Sequence, residues 1–269
     1  MSSPKRHHIV PQCYLRKFSS DKLTVNYYDK LLNTYCNDNI DKICQIEDFY
    51  TLSQSEPYLI ETKFFANDIE DKLARILTHF ENIDCNLSTI HYDKTHRYNL
   101  SKQIVLQYMR TPLYRDTKSQ NELETYYDKI KQILNKIKFE VEEIEFRPNN
   151  KAEFHKTILL EDISNVISII AEANWELIYT STEEFYTSDN PVTIKIDEDS
   201  IIEYYEAIEH FEEIFYPLNS HLALHISNRL NKSFKCIPIR KSNDLETRNI
   251  NSLIRKNAVR YIIYQNELK

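Results

Sequence analysis

The chain contains no glycine in 269 residues, and this absence restricts how its turns can be built. Average usage of about 7% predicts roughly 19 glycines in a chain of this length. Glycine is the residue that adopts positive φ without steric cost. We therefore expect asparagine, for example at Asn37, Asn39, Asn149 and Asn150, to replace it in left-handed turns and at helix C-caps.

The same absence excludes several classes of function. A phosphate-binding P-loop, a dinucleotide-binding fingerprint and a glycine-flanked nucleophile elbow each need a residue without Cβ at defined positions. The richness in lysine, isoleucine, asparagine and tyrosine indicates the compositional bias of an AT-rich genome. The exclusions hold whatever the origin of the bias.

Composition otherwise predicts a soluble globular protein. Hydrophobic residues make up 41% and charged residues 28% of the chain, which suits a single domain over residues 1–269. The turn-forming sequence Pro-Asn-Asn at 148–150 marks the alternative, an internal domain boundary. No apolar run reaches the length of about 20 residues that spans a bilayer, the first residues lack a signal-peptide core, and the five cysteines contain no Cys-x-x-Cys. We expect a cytoplasmic protein without a membrane partner.

Charge is unevenly distributed around a net value of −7. Residues 229–269 hold ten basic and three acidic side chains, whereas residues 193–215 hold eight acidic side chains and one lysine. The basic segment can follow a phosphate backbone. It can equally neutralise the acidic segment across the fold.

Hydrophobic periodicity predicts an α+β fold with N-terminal strands, central helices, and C-terminal antiparallel strands with a late helix. Alternating patterns predict N-terminal strands at 9–10, 23–28 and 48–51. Helical spacing predicts helices over 61–82, 101–115, 121–145 and 151–173, with a break at Pro112. Further strands are expected at 175–180, 185–187, 192–196 and 222–226, followed by a helix from about 243 and a strand over 260–264.

The N-terminal segment concentrates polar chemistry, because His7 and His8 precede Pro11 and Gln12. Adjacent imidazoles bind metals or transfer protons near neutral pH. The alternative is a surface pair, or a terminal strand docked by its apolar residues.

The same histidine segment resembles the first strand of HNH/endonuclease VII-type nucleases, in which one histidine helps to bind a metal and the next activates water. Asn33, Asn37 or Asn39 could supply the asparagine of such a finger, but no histidine follows before His79. The local finger is therefore incomplete.

Three further clusters carry candidate chemistry. Gln107 and Arg110 are three residues apart on a helix and share a face, which suits phosphate recognition or an arginine that braces the helix end. Asp189 and Asn190 precede a proline, as in a turn, although a carboxylate at a strand end can also ligate a cation. Glu70 lies beside an apolar stripe, where a salt bridge is the usual arrangement.

These clusters, in this order, resemble the bacterial domain-of-unknown-function family 4238. The elements that carry the resemblance cover nearly the whole chain: His7 to Phe18, Asp48-Phe49-Tyr50, Glu70, Gln107 to Pro112, Trp175, Ser188 to Pro191, and Pro217-Leu218. The resemblance implies one domain in which the clusters converge, and it supplies no established activity.

If the clusters converge, they suit metal-assisted phosphodiester hydrolysis. We assign His7, His8, Gln107 and Arg110 to catalysis, with one histidine as general base and Arg110 on the developing phosphate charge.

Asp189 and Glu70 are the candidate ligands of a divalent metal (Mg, Mn or Zn), and Gln12, Arg115 and Asn190 are candidates for substrate binding. The sequence thus predicts a metal-dependent nuclease or phosphoryl hydrolase acting on nucleic acid, such as a toxin or phage-defence effector. The alternatives are a non-catalytic module that binds an anion or a partner, and a purely structural interaction protein.

Overall fold

The computed structural model describes residues 6–51, 69–121, 155–156, 159, 163–197, 200, 202–230, 235–266 and 268. The strands are β1 Arg6–His8, β2 Thr24–Asp29, β3 Thr34–Asn39, β4 Gln45–Glu47, β5 Thr89–His91, β6 Ala173–Tyr179, β7 Thr187–Ser188, β8 Thr193–Lys195, β9 Glu213–Asn219, β10 Leu222–Leu230, β11 Cys236–Lys241 and β12 Tyr261–Tyr264. The α-helices are α1 Gln12–Leu15, α2 Asp71–Glu81, α3 Lys94–Met109, α4 Ser164–Glu172 and α5 Asp244–Asn257. Residues 112–121 are also helical.

These strands form three sheets, which confirms the α+β class. A large sheet has the order β5-β11-β6-β10-β9-β8, a second sheet has the order β3-β2-β12-β7, and β1 pairs with β4 alone. The pairing of β11 with β6 is parallel and the other pairings are antiparallel. Because β12 lies between β2 and β7, the last strand of the chain connects an N-terminal hairpin to the C-terminal half.

Each face of the large sheet packs against a hydrophobic cluster, since side chains alternate along each strand. On β6, Leu177 belongs to the main core, whereas its neighbour Ile178 packs in a second cluster with Ile250 and Ile254 of α5. Trp175 is fully buried in the main core, where its indole N–H donates to the Ile170 carbonyl at 2.8 Å. The late helix therefore covers one face of the sheet while the main core covers the other.

Helix starts follow the usual capping chemistry. The Asp93 side chain accepts from the His96 N–H at the start of α3, and the Asn243 side chain accepts from the Glu246 N–H at the start of α5. Each bond satisfies one of the backbone donors that a helix N-terminus leaves without an intrahelical partner.

The absence of glycine has a different outcome from the one expected. Positive φ occurs at Lys22, Asn33, Cys44 and Asp48 within the described ranges, so asparagine takes a single one of these positions. The described helix C-caps have negative φ, Asn82 among them. The expectation of left-handed asparagine C-caps is wrong for these helices, which end by leading into extended or right-handed backbone instead.

Several local predictions are corrected. Residues 48–50 form a turn rather than a strand, and the neighbouring strand is β4. The helix expected over 101–115 is α3 followed by a second helical segment, with the break at 110–111, directly before Pro112. The strand expected at 9–10 is a bend that follows β1. Strands β3, β5, β9 and β11 had no prediction.

Parts of the predicted helices, namely 61–68, 122–145, 151–154, 157–158 and 160–162, and the alternative boundary at 148–150 lie outside the described residues. Among the residues that the structure does describe, no helix has the length and apolar character needed to traverse a bilayer.

Three arginines of the basic C-terminal segment form ion pairs among the described residues, and none of these pairs is with the acidic segment 193–215. Arg240 contacts Glu176 and Glu246, Arg248 contacts Glu183, and Arg260 contacts Asp29. These arginines join α5 and its flanking strands to the rest of the fold, an arrangement that neither alternative had predicted.

Candidate functional site

The short strand β1 directs the two N-terminal histidines to opposite sides. It pairs with β4 in the register His7–Ile46 and His8–Gln45, and successive side chains of a strand alternate. His7 is fully buried, whereas His8 is half-buried. The strand geometry therefore separates two residues that the sequence could not distinguish.

His7 is built into the interior. Its Nδ1 accepts the backbone N–H of Tyr50 at 2.8 Å, and the two rings stack with centroids 5.6 Å apart. With Nδ1 as an acceptor, the proton of a neutral ring resides on Nε2. His7 thus anchors the turn at 48–50 to the first strand.

His8 faces a polar, partly accessible surface. Its Nε2 lies 3.1 Å from the Gln45 Nε2 and 3.4 Å from the Gln12 Nε2. Burial lowers the pKa of His8, while the Glu70 carboxylate and a hydrogen bond to the Ile40 carbonyl act in the opposite direction. Since Nε2 faces the two amides, we assign the bond with Ile40 to Nδ1–H. This assignment leaves the lone pair of Nε2 on the side of the glutamines.

Glu70 is held beside His8 by a buried arginine. Both terminal nitrogens of Arg110 donate to the Glu70 Oε1 at 3.1 Å, and Nη2 also donates to the His8 carbonyl at 2.5 Å. The side chain of Arg110 is 1% exposed, against 26% for Glu70. The Tyr50 hydroxyl donates to the Arg110 carbonyl at 3.0 Å. The guanidinium is thereby fixed between an acid and a backbone carbonyl.

The helix face shared by Gln107 and Arg110 is confirmed, and it points at the N-terminal segment. Gln107 Nε2 donates to the Ile9 carbonyl at 3.1 Å, one residue beyond the carbonyl that Arg110 binds. Helix α3 and its C-cap residue therefore bind two consecutive backbone carbonyls, those of His8 and Ile9. We call His8, Gln12, Gln45, Glu70 and Arg110 the His8 cluster.

Cys13, next to Gln12, packs against the backbone of this cluster. Its Sγ lies 3.8 Å from the Glu70 carbonyl, to which it donates. Burial raises the pKa of the Cys13 thiol to about 11, so the thiol stays protonated at neutral pH. Cys13 is therefore not a candidate nucleophile, because the thiolate is the reactive form.

Asp189 occupies a different setting. Its Oδ1 accepts the Val259 N–H at 3.0 Å and its Oδ2 accepts the Arg260 N–H at 2.7 Å. Burial raises the pKa of Asp189 to about 6, although these backbone bonds oppose the shift. Both carboxylate oxygens are therefore engaged in joining the turn to the residues before β12.

Asn190 completes this second site, the Asp189 turn (residues 187–191). Its Nδ2 donates to the Asn257 carbonyl at 3.3 Å, and the Asn257 Nδ2 donates back to the Asn190 carbonyl at 2.8 Å. The reciprocal amide bonds fix the turn to the end of α5. Burial and, less strongly, the Asp189 charge raise the pKa of Cys44. Cys44 directly precedes Gln45, so the Asp189 turn approaches the start of β4.

Tyr14 connects the N-terminal motif to the two C-terminal motifs. Its hydroxyl lies 2.9 Å from the Thr187 hydroxyl and donates to the Pro217 carbonyl at 2.7 Å. The N-terminal segment, the Asp189 turn and the Pro217-Leu218 element thus meet at one phenol. Sequence reasoning included Tyr14 and Tyr50 in the family pattern without assigning them these contacts.

Arg115, a candidate for substrate binding, contacts an aromatic ring and an acid. The Arg115 guanidinium lies 3.9 Å from the centre of the Phe49 ring, and Nε lies 3.0 Å from Asp116.

Within the described ranges, no group of three or more histidine, cysteine, aspartate or glutamate side chains could hold a metal ion. The structure therefore gathers His8, Gln12, Glu70, Gln107 and Arg110 around one segment, and gives Asp189 and Asn190 to another.

Comparisons with known proteins identify the family without an activity. The family model described as "Protein of unknown function (DUF4238)" matches residues 6–267. No curated protein and no solved structure matches the chain, and the local resemblance to HNH nucleases gains no support. Because the model covers nearly the whole sequence, the chain belongs to the DUF4238 family.

Proposed function

We propose that the protein is a phosphodiester hydrolase of the nuclease class, with His8 as general base and Glu70 as the carboxylate that binds a divalent cation. The observation that carries the proposal is the position of a half-buried imidazole, with one ring nitrogen free of backbone contacts, beside a carboxylate fixed by a buried arginine.

His8 has the protonation state that a general base requires. Burial lowers its pKa, so the imidazole is neutral and able to accept a proton at neutral pH. The contact between His8 Nε2 and Gln12 Nε2 is long, at 3.4 Å. A water molecule that replaces it would be bound by His8 and oriented by the glutamine amide.

Glu70 has capacity left for a cation. Arg110 binds Oε1, whereas Oε2 has no hydrogen-bond partner among the described residues. Magnesium sites often use one or two carboxylates and complete the coordination with water and substrate phosphates, so a single exposed carboxylate oxygen fits such a site. The cation would supply Lewis-acid stabilisation of the phosphate charge.

Arg110 and Asp189 take supporting roles in this proposal. Arg110 is too buried to reach a phosphate, and it instead positions Glu70 and the His8 backbone. The oxygens of Asp189 are already bound by backbone N–H groups, so we assign it to holding the fold rather than the cation.

The second candidate function is a non-catalytic anion-binding module. It is favoured by the exposed Arg16, whose Nη2 donates to the Gln12 Oε1 at 2.8 Å and so turns the Gln12 amide nitrogen toward His8. Amide donors and a nearby guanidinium can hold an anion without transforming it.

The test is incubation of the full chain with labelled single- and double-stranded DNA, RNA and tRNA, with and without Mg²⁺, Mn²⁺ or Zn²⁺. We expect cation-dependent cleavage that is lost in His8→Ala and Glu70→Gln. The matched control is His221→Ala, which removes an exposed histidine in the β9–β10 turn and should cleave like the unmodified protein. Cleavage that persists in His8→Ala would contradict the assignment of His8 as general base. Binding without cleavage would support the anion-binding module. Growth arrest on expression, abolished by His8→Ala, would agree with a toxin or phage-defence role.

A further inference from the structure

A cleft between helices α2 and α3 is the best-formed candidate for a second site. It encloses about 390 Å³ and is lined by Lys72, Arg75, Tyr92, Tyr98, Lys102 and Gln103, among others. This volume falls in the range of about 300–1,000 Å³ that is typical of ligand pockets. Its walls are helical, so the lining side chains have defined positions.

The cleft is cationic in a protein of net charge −7. Lys72 and Arg75 of α2 face Lys102 of α3, and all three are exposed. No ion pair joins any of them to a described residue, and no acidic side chain is among the described residues that line the cleft. Of the other titratable groups that line it, Tyr92, Tyr98 and His96, the last pairs with Asp93 at 2.7 Å. Three cations without an acidic partner among the described residues, placed around one cavity, favour a phosphate-bearing ligand.

Gln103 gives the cleft a second recognition element. The residue is 4% exposed, and its Oε1 is buried without a hydrogen-bond partner. Its amide nitrogen likewise bonds to none of the described residues. Buried side-chain amides nearly always have partners. A carboxamide offers one donor edge and one acceptor edge, the combination with which glutamine reads a nucleobase.

Tyr98 supplies an aromatic surface at the rim. It is 39% exposed and lies one helical turn before Lys102, so ring and cation share a face of α3. Aromatic rings next to cations are the usual platform for stacked bases in proteins that bind nucleotides or single strands. Tyr92, which also lines the cleft, is buried.

From this combination we propose that the α2–α3 cleft binds a nucleotide, with the phosphate at Lys72, Arg75 and Lys102, the base stacked on Tyr98, and the base edge at Gln103. The nucleotide is either free or one unit of a single strand. The inference does not depend on the hydrolysis proposed for the His8 cluster.

The test is calorimetric titration of the full chain in EDTA, so that no cation-dependent cleavage intervenes. The probes are the four ribonucleoside monophosphates, an eight-nucleotide single-stranded DNA, and pyrophosphate. Tighter binding of the strand than of any monophosphate identifies a strand-binding cleft, and the reverse order identifies a free nucleotide. Either order supports the proposal.

Variants separate the phosphate and base contributions. Lys72→Ala/Lys102→Ala should weaken nucleotide binding about tenfold, whereas Lys22→Ala/Lys42→Ala, which removes two exposed lysines elsewhere, should leave it unchanged. Gln103→Leu should weaken nucleotide binding about fivefold and leave pyrophosphate binding unaltered. Because Gln103 is buried, Tyr98→Ala, at an exposed position, gives the same comparison without a risk to folding.

Three results would overturn the proposal: no binding of any nucleotide probe, equal weakening by the two lysine pairs, or nucleotide affinity that neither Gln103→Leu nor Tyr98→Ala changes. The last result would leave a simple anion site. Cleavage at the His8 cluster can fail or succeed independently of each outcome.

Discussion

At the Asp189 turn both carboxylate oxygens are bound by backbone N–H groups, whereas in the His8 cluster one oxygen of Glu70 is bound by Arg110 and the other has no partner among the described residues. The two regions use the same kinds of side chains, acid and amide. One is saturated by the fold, whereas the other keeps an unengaged acid oxygen near an imidazole whose Nε2 contacts only the side-chain amides of Gln12 and Gln45 among the described residues. Unused hydrogen-bonding capacity, more than residue type, separates a candidate reactive site from a structural one.

The largest expected effect is that of Arg110→Met, which tests how far the His8 cluster is itself structural. Arg110 is 1% exposed and binds both Glu70 and the His8 carbonyl. Glu70 is 26% exposed, so the loss of these charged hydrogen bonds should cost about 2–3 kcal/mol of unfolding free energy, below the cost of about 3–5 kcal/mol for a fully buried pair, measurable by urea denaturation. Arg16→Met, which removes an exposed arginine from the same segment, should cost less than about 0.5 kcal/mol. A small loss for Arg110→Met would mean that the cluster is not anchored by this residue.

Asp189→Ala tests the saturated region. It leaves the N–H groups of Val259 and Arg260 without their acceptor, which should cost about 2 kcal/mol at pH 7. Denaturation of the variant measures this cost, and Asp38→Ala, at an exposed aspartate, is the control, with a loss below about 1 kcal/mol. Equal losses in the two variants would contradict the structural role of Asp189.

The same variant carries a pH signature. The pKa of Asp189 is raised from 3.8 to about 6 in the folded protein, so the folded state binds the proton more tightly than the unfolded chain does. The proton-linked part of its contribution to stability is therefore fully present below pH 3.8 and is lost as the pH rises through 6, over a span of about 3 kcal/mol; the contribution of the backbone hydrogen bonds remains at pH 7. The stability difference between the unmodified protein and Asp189→Ala should shrink from pH 5 to pH 8, and a difference that grows would contradict the assignment.

The smallest expected effect concerns the charge of His8. The Glu70 carboxylate raises the pKa of His8 against the effect of burial, so Glu70→Gln should lower that pKa further. Asp41→Asn is the matched control, because Asp41 acts in the same direction and more weakly. NMR titration of the imidazole measures both, and an unchanged pKa in Glu70→Gln would place the carboxylate too far away to serve a common site.

Sequence patterns predicted the local structure around the candidate residues better than they predicted the contacts between distant segments. The shared face of Gln107 and Arg110 and the break before Pro112 follow from local rules, and the structure has both. The opposite orientations of His7 and His8 depend on pairing with β4, and no local pattern specifies that pairing. No sequence pattern pointed to Gln45 either, because its proximity to His8 arises from the pairing of two distant segments.

The strands without a prediction lack the alternating apolar pattern, for different physical reasons. Strand β3, for example, has the sequence Thr-Tyr-Cys-Asn-Asp-Asn and no buried residue, so it lacks the alternating apolar pattern that identifies a strand. It lies at a sheet edge and is held by backbone pairing with β2. Strand β9 was not predicted for the opposite reason. It is almost continuously buried, and it carries a proline, which counts against strand structure.

The left-handed residues within the described ranges have a consequence for engineering this protein. Lys22, Asn33, Cys44 and Asp48 hold a backbone conformation that disfavours side chains with a Cβ. Glycine relieves that strain, because it has no Cβ. Glycine at the exposed Lys22, Asn33 and Asp48 therefore offers a direct route to a more thermostable form for laboratory use.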